Sequence, residues 1–127
     1  MAVAHGSRDP RAAATVSELL SVVRSRAAAR SGLDGLEVRA AFLDHCAPSL
    51  PQVLGSLDRT AVVVPLLLTA AYHSKTDIPA QLAAARDASA GAVDVRCAST
   101  LGPQPLLDAA LERRLREAGV PVDSAAD

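Results

Sequence analysis

Thr60-Ala61-Val62-Val63-Val64-Pro65-Leu66-Leu67-Leu68 is the stretch that decides the fold. It is apolar almost without interruption, as expected of a central parallel strand covered on both faces by helices. A membrane span needs roughly 20 such residues, so this run is a core strand. Pro65 must then sit where its missing N–H is harmless. Working back from this strand, Leu50, Val53, Leu54 and Leu57 mark a short helix entered through Pro48 and Pro51, and Leu36–Leu43 reads as another strand. Further back, Val16, Leu19, Leu20 and Val23 recur at helical spacing, with Arg24, Arg26 and Arg30 crowding the end and Gly32 placed to stop it. Asp9-Pro10 is an N-cap followed by proline at the first helical position, and Met1-Ala-Val-Ala-His5 ends a buried strand.

Working forward, Asp77 is placed to cap a helix carrying Ile78, Leu82 and Ala85. Val93–Cys97 alternates like a strand, and Leu107, Ala110, Leu111, Leu115 and Ala118 line a last helix closed by Gly119. Strand and helix alternate throughout. Right-handed crossovers therefore predict an α/β fold: an open, mainly parallel four-stranded sheet with helices on both faces. One domain spans 1–119, and 120–127 reads as a flexible tail. The 127 residues suit a single core and show no internal repeat or low-complexity segment.

Thirteen basic and fourteen acidic residues leave a net charge of −1, which argues against a nucleic-acid or anionic-membrane partner and for a small one. Twelve of the basic residues are Arg and only Lys75 is Lys; with the abundance of Ala this reads as coding bias, a caution against over-reading arginines. Cys46 and Cys97 are too few for a disulfide framework, and no signal peptide opens the chain, so a reducing cytoplasm is the expected compartment.

Ligands of open α/β sheets bind beyond the carboxyl ends of the strands, so the loops that matter begin at His5, Asp44, Tyr72-His73 and Ser99. His5 and His73 are 68 positions apart in the chain, yet parallel topology brings both to one rim. Neutral imidazoles suit Fe, Co, Ni and Zn, and Asp44 offers a carboxylate, making His5, Asp44 and His73 a candidate metal set. The bland alternative is a pair of half-buried strand-end histidines bonded to backbone. Asp44-His45-Cys46 is chemically dense, but adjacent strand residues point to opposite faces, so the three converge only if the strand has already ended. Cys46 by itself reads as a small buried thiol. No G-x-S-x-G elbow surrounds Ser7 or Ser74, which weakens a serine hydrolase reading. His5-Gly6 with Arg8 faintly resembles a histidine phosphatase signature, but Ala4 replaces its essential arginine. Gly6-Ser7 before a helix can cradle an anion on backbone N–H groups.

Three segments carry a resemblance: His5-Gly-Ser-Arg-Asp-Pro10; Ala41-Phe-Leu-Asp44 leading to Ala47-Pro-Ser-Leu50; and Val64-Pro-Leu-Leu-Leu-Thr-Ala-Ala-Tyr-His73 with Asp77-Ile-Pro79. Together they resemble the sirohydrochlorin chelatases, small class II chelatases that insert cobalt or iron into a tetrapyrrole without ATP. The likeness covers nearly the whole chain, including the Leu101-Gly102-Pro103 turn. It implies His5 and His73 as the metal-binding and catalytic histidines. Asp44 falls where many relatives carry glutamate, one methylene longer, so His45 or a water stands as an alternative for part of its role.

The resemblance also implies sirohydrochlorin as substrate, in cobalamin or siroheme biosynthesis. No cofactor is implied beyond the substrate metal, Co²⁺ or Fe²⁺, with Ni²⁺ a third candidate. A homodimer is implied as well, since longer relatives fuse two such halves. Only four residues precede His5, fewer than the roughly 5–6 of a typical strand, which is also what a clipped form of a longer protein would look like. Arg8, Arg11 and Lys75 are cations for the substrate's carboxylates, with a solvated helix-end arginine the plainer reading of Arg11. Ser7 joins Arg8 and Lys75 as a substrate contact, and Tyr72 either lies against the macrocycle or packs in the core. The competing function is a non-catalytic metal or tetrapyrrole carrier using the same cleft.

Overall fold

The computed structural model describes residues 1–33, 35–58, 60–70, 73–88 and 93–121, and for His73 and Ser74 the backbone alone. Tyr72 and the tail beyond 121 lie outside the described residues. Chain order is β1 (Ala2–Ala4), α1 (Pro10–Ala28), β2 (Ala40–Phe42), α2 (Leu50–Gly55), β3 (Ala61–Pro65), a π-helical turn (His73–Asp77), α3 (Ile78–Ala88), β4 (Val95–Cys97) and α4 (Pro105–Glu117). The four strands are parallel and lie in the order β2-β1-β3-β4. Winding runs one way from β1 to β2 and the other way from β3 to β4. The reversal makes the carboxyl ends of β1 and β3 the switch point where such sheets open a crevice.

Val3, Ala41, Val63 and Val95 pack with Leu50, Val53 and Leu54 of α2 and Ile78 and Leu82 of α3 into one buried cluster. Burying a side chain of this kind contributes about 1.5–3 kcal/mol, so this face holds the strands together. The predicted proline problem resolves through strand pairing. Val64 and Leu66 donate their N–H groups to Met1 and Val3 of the β1 side. The Pro65 nitrogen therefore faces β4, past the Val63↔Cys97 pair that closes that ladder.

The strands are shorter than predicted. The β1–β2 register opens at Ala2↔Ala40, so the residues ahead of Arg39 in the expected strand Leu36–Leu43 run past the start of β1. Likewise β3 ends at Pro65 rather than Leu68, and β4 starts at Val95, opposite the first residue of β3, rather than at Val93. Helix starts follow the sequence more closely. Asp9 caps α1 by accepting from the Arg11 N–H, with Pro10 behind it, while Gly32 lies at φ 83° in the turn beyond the helix end at Ala28. The start of α2 carries a Ser49–Gln52 capping box. Asp77 does not begin α3 as a free-standing cap: the chain is already coiled through the π-helical turn that Asp77 closes.

Two helices leave apolar residues uncovered. Along α1, Leu20 and Ala27 are buried but Leu19 and Val23 are exposed. No residue of α4 is buried, so the predicted stripe through Leu111 and Leu115 faces outward.

Candidate active site

The rim of the sheet is built from backbone first. Beyond the last β1–β2 pair, Ala4↔Phe42, the ladder continues as Leu43 N–H to Ala4 O (3.0 Å) and Asp44 N–H to His5 O (2.9 Å). His5 and Asp44 are therefore neighbours across the joint, fixed by the same bonds that build the sheet. Gly6 follows at φ 96°, and a Cβ there would stand 1.8 Å from Asp44 O. Only glycine fits that conformation and that approach. The His5 ring nitrogen Nδ1 lies 3.3 Å from Gly6 O. A proton held on Nδ1 leaves Nε2 as the lone-pair nitrogen that a metal requires.

The same two loops meet again at Cys46. Its thiol donates to Ser7 O (3.1 Å) and its sulfur accepts from Ser7 N–H (3.5 Å), while Ser7 Oγ accepts from Asp9 N–H (3.1 Å). Ser7 is thus tied into the entry to α1. Of the Asp44-His45-Cys46 tripeptide, Asp44 and His45 come together while Cys46 turns to Ser7, because β2 ends at Phe42 and the strand alternation no longer applies. His45 turns at φ 59°. Its N–H donates to Asp44 Oδ1 (2.7 Å) and its Nε2 stands 3.2 Å from Asp44 Oδ2.

Arg8 is exposed beside this rim, whereas Arg11 is held by Asp9 in a fork whose closest contact is 2.6 Å. That fork holds the Asp9 carboxyl below its ordinary range, chiefly through the side-chain bond from Arg11. Of the two cations Arg11 is the one already engaged.

The third and fourth loops close the other side. Leu101 N–H reaches Pro65 O (3.0 Å) and Gly102 N–H reaches Leu67 O (3.1 Å), with no room for a Cβ at Gly102 against Leu68 O. His73 opens the π-helical turn that leads from the β3 loop into α3, and Lys75 is exposed on that turn. His5 and Asp44 are brought together; His73 joins them at the level of topology, its loop leaving β3 next to β1. Among the described residues no three His, Cys, Asp or Glu side chains already form a metal-ready cluster.

The CbiX family model matches residues 1–118. The chain belongs to the CbiX family. A CbiX protein from Marinobacter aquaeolei VT8 has a similar structure, with TM-score 0.69 and 24% identity over 92% of each chain. SirB from Bacillus subtilis with Fe³⁺ is similar at TM-score 0.74 and 25% identity, covering 98% of this chain and 48% of that one. The sirohydrochlorin chelatase SirB from Bacillus subtilis subspecies spizizenii, in complex with cobalt, gives 0.74 and 24%, covering 91% and 48%. This CbiX chain therefore spans about half the length of the two SirB chains. No curated protein matches it significantly.

Sequence reasoning left the clip between His45 and Asp44 open and missed the Cys46–Ser7 tie. The first turned on the backbone beyond the strand, where His45 takes up φ 59° and brings its ring back to Asp44. The second had no sequence signal, since a lone Cys reads as filler. The capping box was legible as Ser49-x-x-Gln52 but was not used.

Proposed function

We propose that the chain inserts Co²⁺ or Fe²⁺ into sirohydrochlorin without ATP or any other cofactor, working in the cytoplasm as a homodimer in cobalamin or siroheme synthesis. The observation that carries this reading is the joint between Asp44 N–H and His5 O (2.9 Å) across the ends of β1 and β2, beside the β1–β3 switch point of a CbiX-family sheet. It sets an imidazole-bearing and a carboxylate-bearing residue side by side where a large ligand has access. The SirB structures with Fe³⁺ and with cobalt support both metals as substrates. The cytoplasm is consistent with the described helices, none of which is long and apolar enough to cross a membrane.

Metalation needs the ion to shed water while two pyrrole N–H protons leave. Imidazoles serve both halves: they bind borderline ions without trapping them, and they accept protons near neutral pH. His5 and Asp44 present the metal to one face of the macrocycle; His73 passes it on or takes a proton. Arg8 and Lys75, both exposed, meet the substrate's carboxylates, with Ser7 a further substrate contact. Leu111 and Leu115, one turn apart and both exposed on α4, support the homodimer.

An anaerobic absorbance assay with sirohydrochlorin in excess tests this. The intact chain accelerates metalation over the spontaneous rate through many turnovers, and His5→Ala and His73→Ala each abolish the acceleration. Stoichiometric metal binding without turnover would instead make the protein a carrier.

A further inference from the structure

We propose that His45 is a positioning residue for Asp44, holding its carboxylate in the orientation from which it takes the metal. This rests on the function proposed above and adds to it a residue that the strand-end pattern does not supply. Both oxygens of the Asp44 carboxylate face the same neighbour: Oδ1 accepts from the His45 N–H at 2.7 Å, and Oδ2 lies 3.2 Å from His45 Nε2. The carboxylate is 62% exposed and the imidazole 32%, so the ring is the better-anchored partner of the two. An aspartate this open would otherwise sample several rotamers; gripped at two points, it keeps one.

The backbone supports the same reading. His45 sits at φ 59°, a left-handed conformation that is uncommon outside glycine and carries a cost. A turn with no further duty is better served by glycine. Histidine there keeps the turn and adds the Nε2 contact. A carboxylate offers about four lone-pair sites, so two contacts to His45 leave capacity for a metal.

Two substitutions separate the ring from the turn. His45→Gly keeps the left-handed backbone and the N–H bond but removes the ring. His45→Gln restores a neutral donor at about the reach of Nε2. Loss of an orienting partner typically costs about 10–100-fold in metal affinity. His45→Gly should therefore raise the KM for Co²⁺, and weaken Co²⁺ binding titrated without tetrapyrrole, by about that factor. Its kcat at saturating Co²⁺ and its KM for sirohydrochlorin stay unchanged, its melting temperature is equal or higher, and His45→Gln recovers most of the Co²⁺ affinity. Equal Co²⁺ affinity in His45→Gly and the intact chain overturns the inference, as does a His45→Gln no better than His45→Gly, which would make the imidazole itself a ligand. If the intact chain binds Co²⁺ but does not metalate sirohydrochlorin, the proposed function fails while the Co²⁺ titration still decides the role of His45.

Discussion

At Gly6 the backbone has room for a hydrogen and nothing larger, because a Cβ would stand 1.8 Å from Asp44 O on a residue already at φ 96°. Gly6→Ala must push the His5 and Asp44 loops apart. Overpacking and a forced left-handed residue together cost about 2–4 kcal/mol, read as a lower urea midpoint, and metalation is lost even at temperatures where the variant is folded. Cys46 bridges the same loops through both donor and acceptor contacts to Ser7. Cys46→Ala should lower kcat, and Cys46→Ser, which keeps a donor and an acceptor, should restore much of it; equal rates in all three would remove the thiol from the positioning of the rim. His5 and Asp44 were legible in the sequence because each follows a strand. The His45 clip was not, because the rule that adjacent residues oppose one another holds only while the strand continues, and β2 stops at Phe42.

At the level of elements, α3 is what braces the turn carrying His73. Its Leu82 is 2% exposed within the core cluster. Leu82→Ala should destabilise by about 2–5 kcal/mol, measured by chemical denaturation, and an effect below 1 kcal/mol would mean that the core is not where it is placed here. The entry to α1 has a pH signature. Arg11 holds the Asp9 carboxyl below its ordinary range in the folded chain. The stabilisation is therefore present at neutral pH and lost as pH falls through the folded value. The melting-temperature difference between the intact chain and Asp9→Ala should shrink towards zero in acid; a constant difference would contradict the pairing. Helix starts such as Asp9-Pro10 were readable because capping is local chemistry. Strand ends were not, since the limits of β2 and β4 depend on where the neighbouring strand begins: Ala40 opposite Ala2, Val95 opposite Ala61.

For the molecule as a whole, the parallel α/β sheet followed from the alternation of apolar runs and helical stripes, and the four-strand order agrees with it. What periodicity alone did not reveal is that the α4 stripe is covered only at its start, where Leu107 and Ala110 are half-buried, while Leu111 is 64% and Leu115 46% exposed. If these side chains bury against a second copy, the chain sediments at close to twice 13.0 kDa, and Leu111→Glu with Leu115→Glu yields a folded monomer. A monomeric intact chain would contradict the homodimer. The central claim, that the ends of β1, β2 and the β3 loop form one metal-handling rim, is tested most directly by anomalous diffraction from crystals grown with Co²⁺. A cobalt peak in contact with His5, Asp44 and His73 is the expected result; cobalt seated away from all three, or no peak under saturating Co²⁺, would contradict a shared rim.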